Sequence, residues 1–253
     1  MKHAERIQVI LDRLDAEGEI SITDLAVTLG VSEMTVRRDL DRLESSGALR
    51  RVHGGAIKGV SGSYEPPFGV RAERQAAEKQ LVARAIAELI ADRETVILDG
   101  GSTGVAVARE LFDRELTVCT PSLHVADILR GAPNVRLLLT GGFMRRSEES
   151  LVGPSAVATL ESHVFDTYVM TVSGIDPQHG CTEWNEDDAI IKRTALKVAT
   201  RCVVAADSTK FGATAFARVC GLDAISTVVT DAHLADAYRE RVQMMGVALR
   251  IAA

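Results

Sequence analysis

The sequence has no apolar run approaching the roughly 20 residues of a membrane-spanning helix. Its N-terminal residues also lack the apolar stretch of a signal peptide. Hydrophobic residues make up 46% of the 253 residues and charged residues 25%, as in ordinary globular proteins. We therefore expect a cytoplasmic protein with one or two domains.

The sequence also lacks any paired cysteine motif. The four cysteines, Cys119, Cys181, Cys202 and Cys220, are widely spaced, and two of them lie within apolar, strand-like runs. A metal site needs clustered ligands, and His179 with Cys181 is the nearest approach to one. We expect reduced structural thiols, no metal ion and no cofactor.

A net positive charge is found in one short region of an acidic chain. The net charge is −6, yet residues 35–58 hold six Lys/Arg and three Asp/Glu. A phosphate backbone is bound by a local basic patch, so an acidic protein is compatible with binding to DNA.

Residues 32–47 read as a capped helix. Ser32 can accept a hydrogen bond from a backbone N–H of the first turn, and Gly47 stands where a helix usually ends. Val36, Leu40 and Leu43 form one apolar stripe with arginines beside it. Such a helix either enters a DNA major groove or lies on the surface with solvated charges.

The preceding residues favour the DNA-binding interpretation. Ser21 and Asp24 have the spacing of a capping box, and Gly30 turns that brief helix directly into the next one. Two short helices joined by a tight turn are typical of a helix-turn-helix. A further helix at about residues 5–17 and a hairpin at 49–56 complete a winged helix unit.

The stretch VSEMTVRRDLDRLESSGALRRVHGGA, residues 31–56, resembles the N-terminal signature of DeoR-type bacterial transcriptional regulators. Arg37 and Arg38 would contact bases or phosphates, and the remaining side chains would position the protein on the backbone. The expected DNA-binding residues are Ser32, Thr35, Arg37, Arg38, Arg42, Arg50, Arg51 and His53. A homo-oligomer would read half-sites about 10 base pairs, or a multiple, apart.

We expect a winged helix-turn-helix domain at 1–58, a Gly/Ser-rich linker at 59–72 and an α/β domain at 73–253. Phe68 is expected to dock on the second domain, and a long helix to run over 73–91. Beyond it, apolar runs alternate with helical segments, which predicts a mainly parallel sheet. The runs are 95–98, 116–119, 135–139, 167–172, 201–206, 226–229 and 247–251.

Ligands bind outside the carboxyl ends of the strands in such sheets. The first run is followed by Asp99-Gly-Gly-Ser-Thr-Gly104, a Gly-rich turn before a helix, which suits a phosphate group. It matches neither the P-loop nor the dinucleotide-binding pattern. Asp99 would accept a sugar hydroxyl or hold the turn in place, and a plain tight turn is the alternative.

Other strand ends carry similar residues. Thr120 follows the second run, and Gly141 and Gly142 follow the third. Arg145 and Arg146 would reach an anion or face solvent. Asp207 and Lys210 follow a later run, and Lys210 would bind a phosphate or pair with Asp207.

The segments LDGGST, TPSLHVA, LTGGFMRRSEESLVGPSA and DSTKFG resemble the effector domain of DeoR-type regulators. The resemblance implies a fold similar to ribose-5-phosphate isomerases and glucosamine-6-phosphate deaminases, and a phosphorylated sugar or related metabolite that relieves DNA binding. The expected effector-binding residues are Asp99, Gly101, Ser102, Thr103, Thr120, Gly141, Gly142, Asp207 and Lys210. Pro121 stands where the family usually has Asn, which favours a different ligand from the commoner sugars.

The leading hypothesis is therefore a regulator that represses a carbohydrate-metabolism operon, although the residues do not distinguish repression from activation. The alternative is a sugar-phosphate isomerase or deaminase with a DNA-binding head. It would need a general base, for which Asp99, Glu183 and Asp207 are candidates without a recognisable acid–base motif. We expect no catalysis.

Overall fold

The computed structural model describes residues 3–45, 48–58 and 65–253, and the chain forms two compact units, Met1–Arg74 and Gln75–Ala253. We call them the N-terminal and the C-terminal unit. Among the described residues, no helix combines the length and apolar character needed to span a membrane.

The N-terminal unit is a helix-turn-helix with a small antiparallel sheet of order β1-β3-β2. Its elements are α1 (His3–Glu17), β1 (Glu19–Ser21), α2 (Ile22–Leu29), α3 (Glu33–Ser45), β2 (Leu49–Val52), β3 (Gly55–Lys58) and α4 (Phe68–Glu73). Val36, Leu40 and Leu43 are buried in its core, which confirms the apolar stripe. The hairpin was predicted, whereas the third strand, β1, was not.

The predicted linker extends too far. Residues 59–64 lie outside the described residues, but Phe68–Glu73 is a helix, and Val70 is buried in the core of the N-terminal unit. The division falls after Arg74, and Gln75 adopts a left-handed conformation there (φ 52°). The long helix expected over 73–91 is therefore wrong, because this break separates α4 from α5 (Ala76–Ala87). Pro66 and Pro67 precede this helix, and the helix begins directly after them at Phe68.

The C-terminal unit is built on a seven-stranded parallel sheet of order β15-β14-β12-β9-β4-β5-β6. Its strands are β4 (Thr95–Leu98), β5 (Leu116–Thr120), β6 (Val135–Leu139), β9 (Phe165–Thr171), β12 (Ala199–Ala205), β14 (Thr227–Asp231) and β15 (Ala248–Ala252). Each overlaps one of the seven predicted runs, so the predicted parallel sheet is confirmed. The strands could be predicted from continuous apolar runs because parallel strands are buried on both faces of the sheet.

Further elements surround this sheet. The helices are α6 (Gly101–Glu110), α7 (Leu123–Leu129), α8 (Pro154–Glu161), α9 (Glu186–Val198) and α10 (Asp236–Met244), with short 3-10 turns at Ser208–Lys210 and Leu222–Ala224. A hairpin pairs β7 (Phe143–Arg145) with β8 (Ser150–Val152). An antiparallel sheet pairs β10 (Gly174–Asp176), β11 (Gly180–Glu183) and β13 (Ala217–Cys220).

The strand order reverses between β4 and β9. From β4 the chain adds β5 and β6 on one side, and from β9 it adds β12, β14 and β15 on the other. In open parallel sheets the crevice at such a switch point is the usual ligand site. The residues after β4 and at the end of β9 therefore stand where a ligand is expected.

Candidate functional site

Helix α3 begins at a side-chain cap. The Thr35 N–H donates to Ser32 Oγ at 3.2 Å, and the two hydroxyls lie 3.0 Å apart. Gly30 ends α2 in a left-handed conformation (φ 63°), which brings the two helices together over a very short turn. Ser32 and Thr35 thus shape the start of the helix.

Four arginines and a histidine of the predicted DNA-binding set are exposed. Arg38 on α3, Arg50 on β2 and His53 in the following turn have no hydrogen bond or ion pair with another described side chain. Arg37 is exposed as well, and its guanidinium donates to Glu33 one helical turn earlier at 3.0 Å. These exposed side chains are available for phosphates or base edges.

Two other residues that were predicted to contact DNA, Arg51 and Arg42, make contacts within the N-terminal unit. The Arg51 guanidinium pairs with Asp41 and donates to the Gly55 carbonyl oxygen at 3.3 Å, so it joins the hairpin to α3. The Arg42 guanidinium lies 3.4 Å from His3 Nε2. Arg51 is only part-exposed, whereas Arg42 remains exposed.

A buried ion pair that the sequence did not reveal anchors α3. Asp39 is 1% exposed, and its carboxylate accepts from Arg6 Nε on α1 at 2.8 Å. His3 Nδ1 lies 3.1 Å from the same carboxylate. A buried carboxylate is stable only when it is paired, so this contact fixes the orientation of the helix that carries Arg38.

In the C-terminal unit, the turn after β4 leads directly into α6. Gly100 is the N-cap residue and provides no side-chain cap, and Gly101 has a φ of 77°. A Cβ atom at Gly104 would overlap the Asp99 carbonyl oxygen, so the glycine allows the helix to pack on the strand. The first N–H groups of α6 therefore have no side-chain acceptor within the helix cap, and they favour an anion.

The Asp99 carboxylate is bound internally. It accepts from the Gly100 N–H at 2.9 Å, from the Thr171 N–H at 3.1 Å and from the Tyr168 hydroxyl at 3.2 Å, and it pairs with Lys192. Of the two roles considered for Asp99, these bonds match the one that holds the turn. They also tie the turn to the end of β9.

Lys192 is a central residue that the sequence did not single out. Its ammonium contacts Asp99, lies 3.1 Å from Glu183 Oε2 and donates to the Thr171 carbonyl oxygen at 2.9 Å. We call Lys192, Asp99 and Glu183 the Lys192 cluster. Burial alone would lower the pKa of Lys192, but the Asp99 and Glu183 carboxylates raise it above its ordinary value.

Glu183 stays ionised for the reciprocal reason. Burial alone would raise the pKa of its carboxyl, but the Lys192 ammonium and hydrogen bonds from Ser173 and the Trp184 N–H lower it. A carboxylate so stabilised as an anion is a weak base. Through Lys192, the Glu183 carboxylate is joined to the turn that carries Asp99.

The predicted effector residues at the ends of β5 and β6 have structural roles in turns. Thr120 is fully buried, and its hydroxyl accepts from the Ser122 N–H at 3.1 Å. Gly141 and Gly142 follow β6 with φ values of 72° and 101°. A Cβ atom at Gly142 would overlap the Val152 carbonyl oxygen, so this glycine lets the β7–β8 hairpin close.

The Arg145 guanidinium pairs with Asp188 of α9, which also accepts from the Ser150 hydroxyl at 2.8 Å. Burial raises the pKa of Asp188, although Arg145 opposes this. Arg146 is exposed. The hairpin is thus fixed to the helix that carries Lys192.

On the β12 side, Asp207 is 1% exposed and accepts from the Thr209 N–H at 3.1 Å, so it caps the short 3-10 turn. Lys210 Nζ lies 5.3 Å from the centroid of the Trp184 ring, a cation–π contact. Ser102 is half-buried and Thr103 is buried at the start of α6. Eight of the nine predicted effector residues follow carboxyl ends of the parallel strands, and Thr120 is the last residue of β5, so all nine lie at the carboxyl edge of the sheet.

Comparison with known proteins identifies both units. A family model described as DeoR-like helix-turn-helix domain matches residues 6–59, and one described as DeoR C terminal sensor domain matches residues 74–232. The HTH-type transcriptional regulator GolR of Listeria innocua is 33% identical, with 98% of each chain covered. The HTH-type transcriptional repressor GlcR of Bacillus subtilis is 32% identical, over 99% of this chain and 97% of its own.

The glycerol-3-phosphate regulon repressor of Escherichia coli is 30% identical over 92% of both chains. Among solved structures, ribose 5-phosphate isomerase A of Methanocaldococcus jannaschii is 14% identical, with 54% of this chain and 55% of its own covered at a TM-score of 0.41. The helix-turn-helix unit, the α/β unit and these full-length relatives lead to one conclusion: the chain belongs to the DeoR family of transcriptional regulators.

Proposed function

We propose that this DNA-binding regulator represses a carbohydrate-metabolism operon and that a phosphorylated sugar or a related metabolite relieves the repression. The effector would bind at the carboxyl edge of the parallel sheet, beside the turn at residues 99–104. A relative of comparable length is a repressor of a glycerol-3-phosphate regulon, which is consistent with a phosphorylated effector.

The DNA-binding half of the proposal depends on the exposed side chains of α3 and the hairpin. Arg38 and Arg50 are exposed and extend a basic patch in an otherwise acidic chain. The buried Asp39–Arg6 pair holds α3 against α1, so α3 is presented as a rigid element. Arginine on a rigid helix suits bidentate contacts with guanine in the major groove.

The observation that carries the effector half is that the Asp99 carboxylate accepts its hydrogen bonds from donors within the C-terminal unit. A free carboxylate at this turn would repel a phosphate, but both Asp99 oxygens are bound by N–H, hydroxyl and ammonium donors. The start of α6 then presents N–H groups and the positive end of the helix dipole. Lys210 adds a cation at the same edge.

We propose further that the C-terminal unit binds its ligand without turnover. Of the three candidate bases, Asp99 and Glu183 are paired with Lys192, and Asp207 caps a 3-10 turn with its carboxylate. A coupled assay with ribose 5-phosphate and glucosamine 6-phosphate tests this. Turnover that disappears in Glu183→Gln would establish the enzyme alternative.

The effector is tested by thermal unfolding with sugar phosphates, polyol phosphates and their unphosphorylated parents. A ligand at 100 times its Kd stabilises the native state by about 2.7 kcal/mol. We expect one phosphate to raise Tm while its parent does not. If a parent sugar stabilises the protein equally, the phosphate assignment is wrong.

Repression is tested by a mobility-shift titration with the DNA upstream of the regulated genes, with and without that phosphate. We expect retarded complexes that dissociate when the phosphate is added. We also propose that two copies bind together, so a footprint should cover two half-sites about 10 base pairs, or a multiple, apart. A single protected half-site would contradict binding as a dimer.

A further inference from the structure

Cys181 and Cys220 lie opposite each other in the antiparallel pair of β11 and β13. Directly opposed residues point to the same face, with Cβ atoms about 4.5–5.5 Å apart. The two thiols influence each other: the interaction lowers the pKa of Cys220, and together with burial it raises the pKa of Cys181 above its ordinary value. Both cysteines are free thiols.

This arrangement is close to what a disulfide requires. Disulfide-bonded Cβ atoms are typically about 3.5–4.5 Å apart, slightly less than for an ordinary cross-strand pair. The strand register shifts between Cys181 and Thr182, so a bulge adjoins the pair. Bulged strands are locally bent and twisted, which allows a small approach without disturbing the central sheet.

The two thiols differ in access and in acidity. Cys181 is fully buried, whereas Cys220 is part-exposed. The interaction with Cys181 lowers the pKa of the Cys220 thiol, and the Arg218 guanidinium assists, although burial and the Asp223 carboxylate oppose them. The thiolate is the reactive form, so Cys220 is the first thiol to react.

The other two cysteines are protected. Burial raises the pKa of Cys119 to about 12, and burial also raises the pKa of Cys202. Neither residue has a cysteine as its cross-strand partner. Cys181 and Cys220 are therefore the one pair of cysteines that face each other in the strand registers of the described residues.

We propose that Cys181 and Cys220 are a reversible dithiol–disulfide site that reacts with hydroperoxides. The Cys220 thiolate attacks one peroxide oxygen, the O–O bond breaks, and hydrogen peroxide leaves one oxygen as water, which takes up the thiol proton. The resulting Cys220 sulfenic acid is attacked by the Cys181 sulfur, so the S–S bond forms and the S–O bond breaks. The hydroxyl leaves with the Cys181 proton as a second water, and a dithiol reductant reverses the reaction.

The disulfide would act close to the Lys192 cluster. β11 continues from Cys181 to Glu183, whose carboxylate pairs with Lys192. Linking β11 to β13 therefore restrains the strand that positions this carboxylate. Oxidation of this cysteine pair would therefore restrain β11 independently of effector binding.

The test treats the full-length protein with hydrogen peroxide, blocks the remaining thiols with iodoacetamide after denaturation, and maps peptides by mass spectrometry. We expect a linked peptide that joins Cys181 to Cys220, a loss of two thiols per chain, and recovery of both with dithiothreitol. The Cys119→Ser/Cys202→Ser variant is the matched control and should form the same link.

In Cys181→Ser, oxidation should stop at the sulfenic or sulfinic acid of Cys220, because the resolving thiol is absent. Three results would overturn the proposal. They are four unreacted thiols after peroxide treatment, a Cys220 that over-oxidises while Cys181 stays free in the wild type, and a link that involves Cys202 instead.

Discussion

Lys192 Nζ lies 3.1 Å from Glu183 Oε2, and both side chains are buried within the C-terminal unit. The same ammonium pairs with Asp99 at the turn before α6. One cation thus holds two anions that come from different parts of the chain. Because two buried carboxylates share this one ammonium, the stability of the C-terminal unit should depend on Lys192.

Replacing Lys192 with Met should destabilise the C-terminal unit strongly. The substitution leaves two buried carboxylates without their cation, and breaking a buried ion pair from one side costs about 3–5 kcal/mol. Urea unfolding followed by the emission of Trp184 measures the effect. The double variant Lys192→Met/Glu183→Gln should be more stable than Lys192→Met alone, because it removes one of the uncompensated charges.

Lys192→Arg is the matched control, since it keeps the charge but changes the geometry. If both Lys192→Met and the double variant unfold at the wild-type urea concentration, the Lys192 cluster contributes nothing to stability, and the interpretation of Asp99 as an internally held residue is wrong.

Stability should fall in acid, and Glu183 should account for part of the fall. Its pKa is lowered in the folded state, so its contribution is present above the unfolded value of about 4.3 and is lost as the pH drops through the folded pKa. Urea unfolding between neutral pH and the acid range measures the slope. Glu183→Gln should flatten it without abolishing it, because the pKa values of Glu94 and Asp166 are lowered too.

The strands were predictable from sequence, whereas the Lys192 cluster was not. Strands buried on both faces leave continuous apolar runs, and the turns between them leave Gly and hydroxyl residues. Lys192 lies 93 residues after Asp99 in the chain. From sequence alone, a lysine on an amphipathic helix is predicted to lie on the surface. Its burial depends on two partners that only the folded chain brings together.

The N-terminal unit shows the same limit. Ser32 and Gly30 were recognisable because caps and turns depend on neighbouring residues. The Asp39–Arg6 pair joins residues 33 positions apart. Sequence alone does not distinguish Asp39 from the exposed charged residues of the same helix. Likewise, sequence does not distinguish the exposed Arg38 from Arg51, which binds within the unit.

Arg38→Ala should weaken operator binding by about 1–3 kcal/mol if the side chain contacts a base. The unfolding temperature should not change, because the Arg38 side chain makes no hydrogen bond or ion pair with another described side chain. Arg51→Ala should instead lower the unfolding temperature, because it removes the contacts with Asp41 and Gly55. Fluorescence anisotropy with labelled operator and calorimetry measure the two quantities.

Arg130→Ala in the C-terminal unit controls for the loss of one exposed positive charge, since Arg130 is exposed and pairs with Asp127 three residues earlier. Operator affinity of Arg38→Ala equal to that of Arg130→Ala would remove Arg38 from the DNA interface.

Gly104→Ala should abolish effector binding and destabilise the C-terminal unit. A methyl group there overlaps the Asp99 carbonyl oxygen, so α6 must move away from the end of β4, at a cost of about 1–3 kcal/mol or more. Gly131→Ala is the matched control, because its methyl group would lie 4.0 Å from the Phe112 ring. Thermal unfolding with and without the stabilising phosphate compares the two, and a normal ligand response of Gly104→Ala would show that the turn is not the site.

Lys210→Ala should leave operator binding intact and remove the response to the phosphate. The Lys210 ammonium lies over Trp184, which is the one tryptophan of the chain, so emission reports directly on this edge of the sheet. Titration of the wild type with the phosphate should change the emission, and Trp184→Phe should remove the signal while keeping the thermal shift. In Lys210→Ala both the emission change and the phosphate-dependent release of operator should be lost, because the site no longer has this cation. A variant that releases the operator at the wild-type phosphate concentration would show that Lys210 does not bind the phosphate, and the start of α6 would remain as the anion-binding element proposed for this edge.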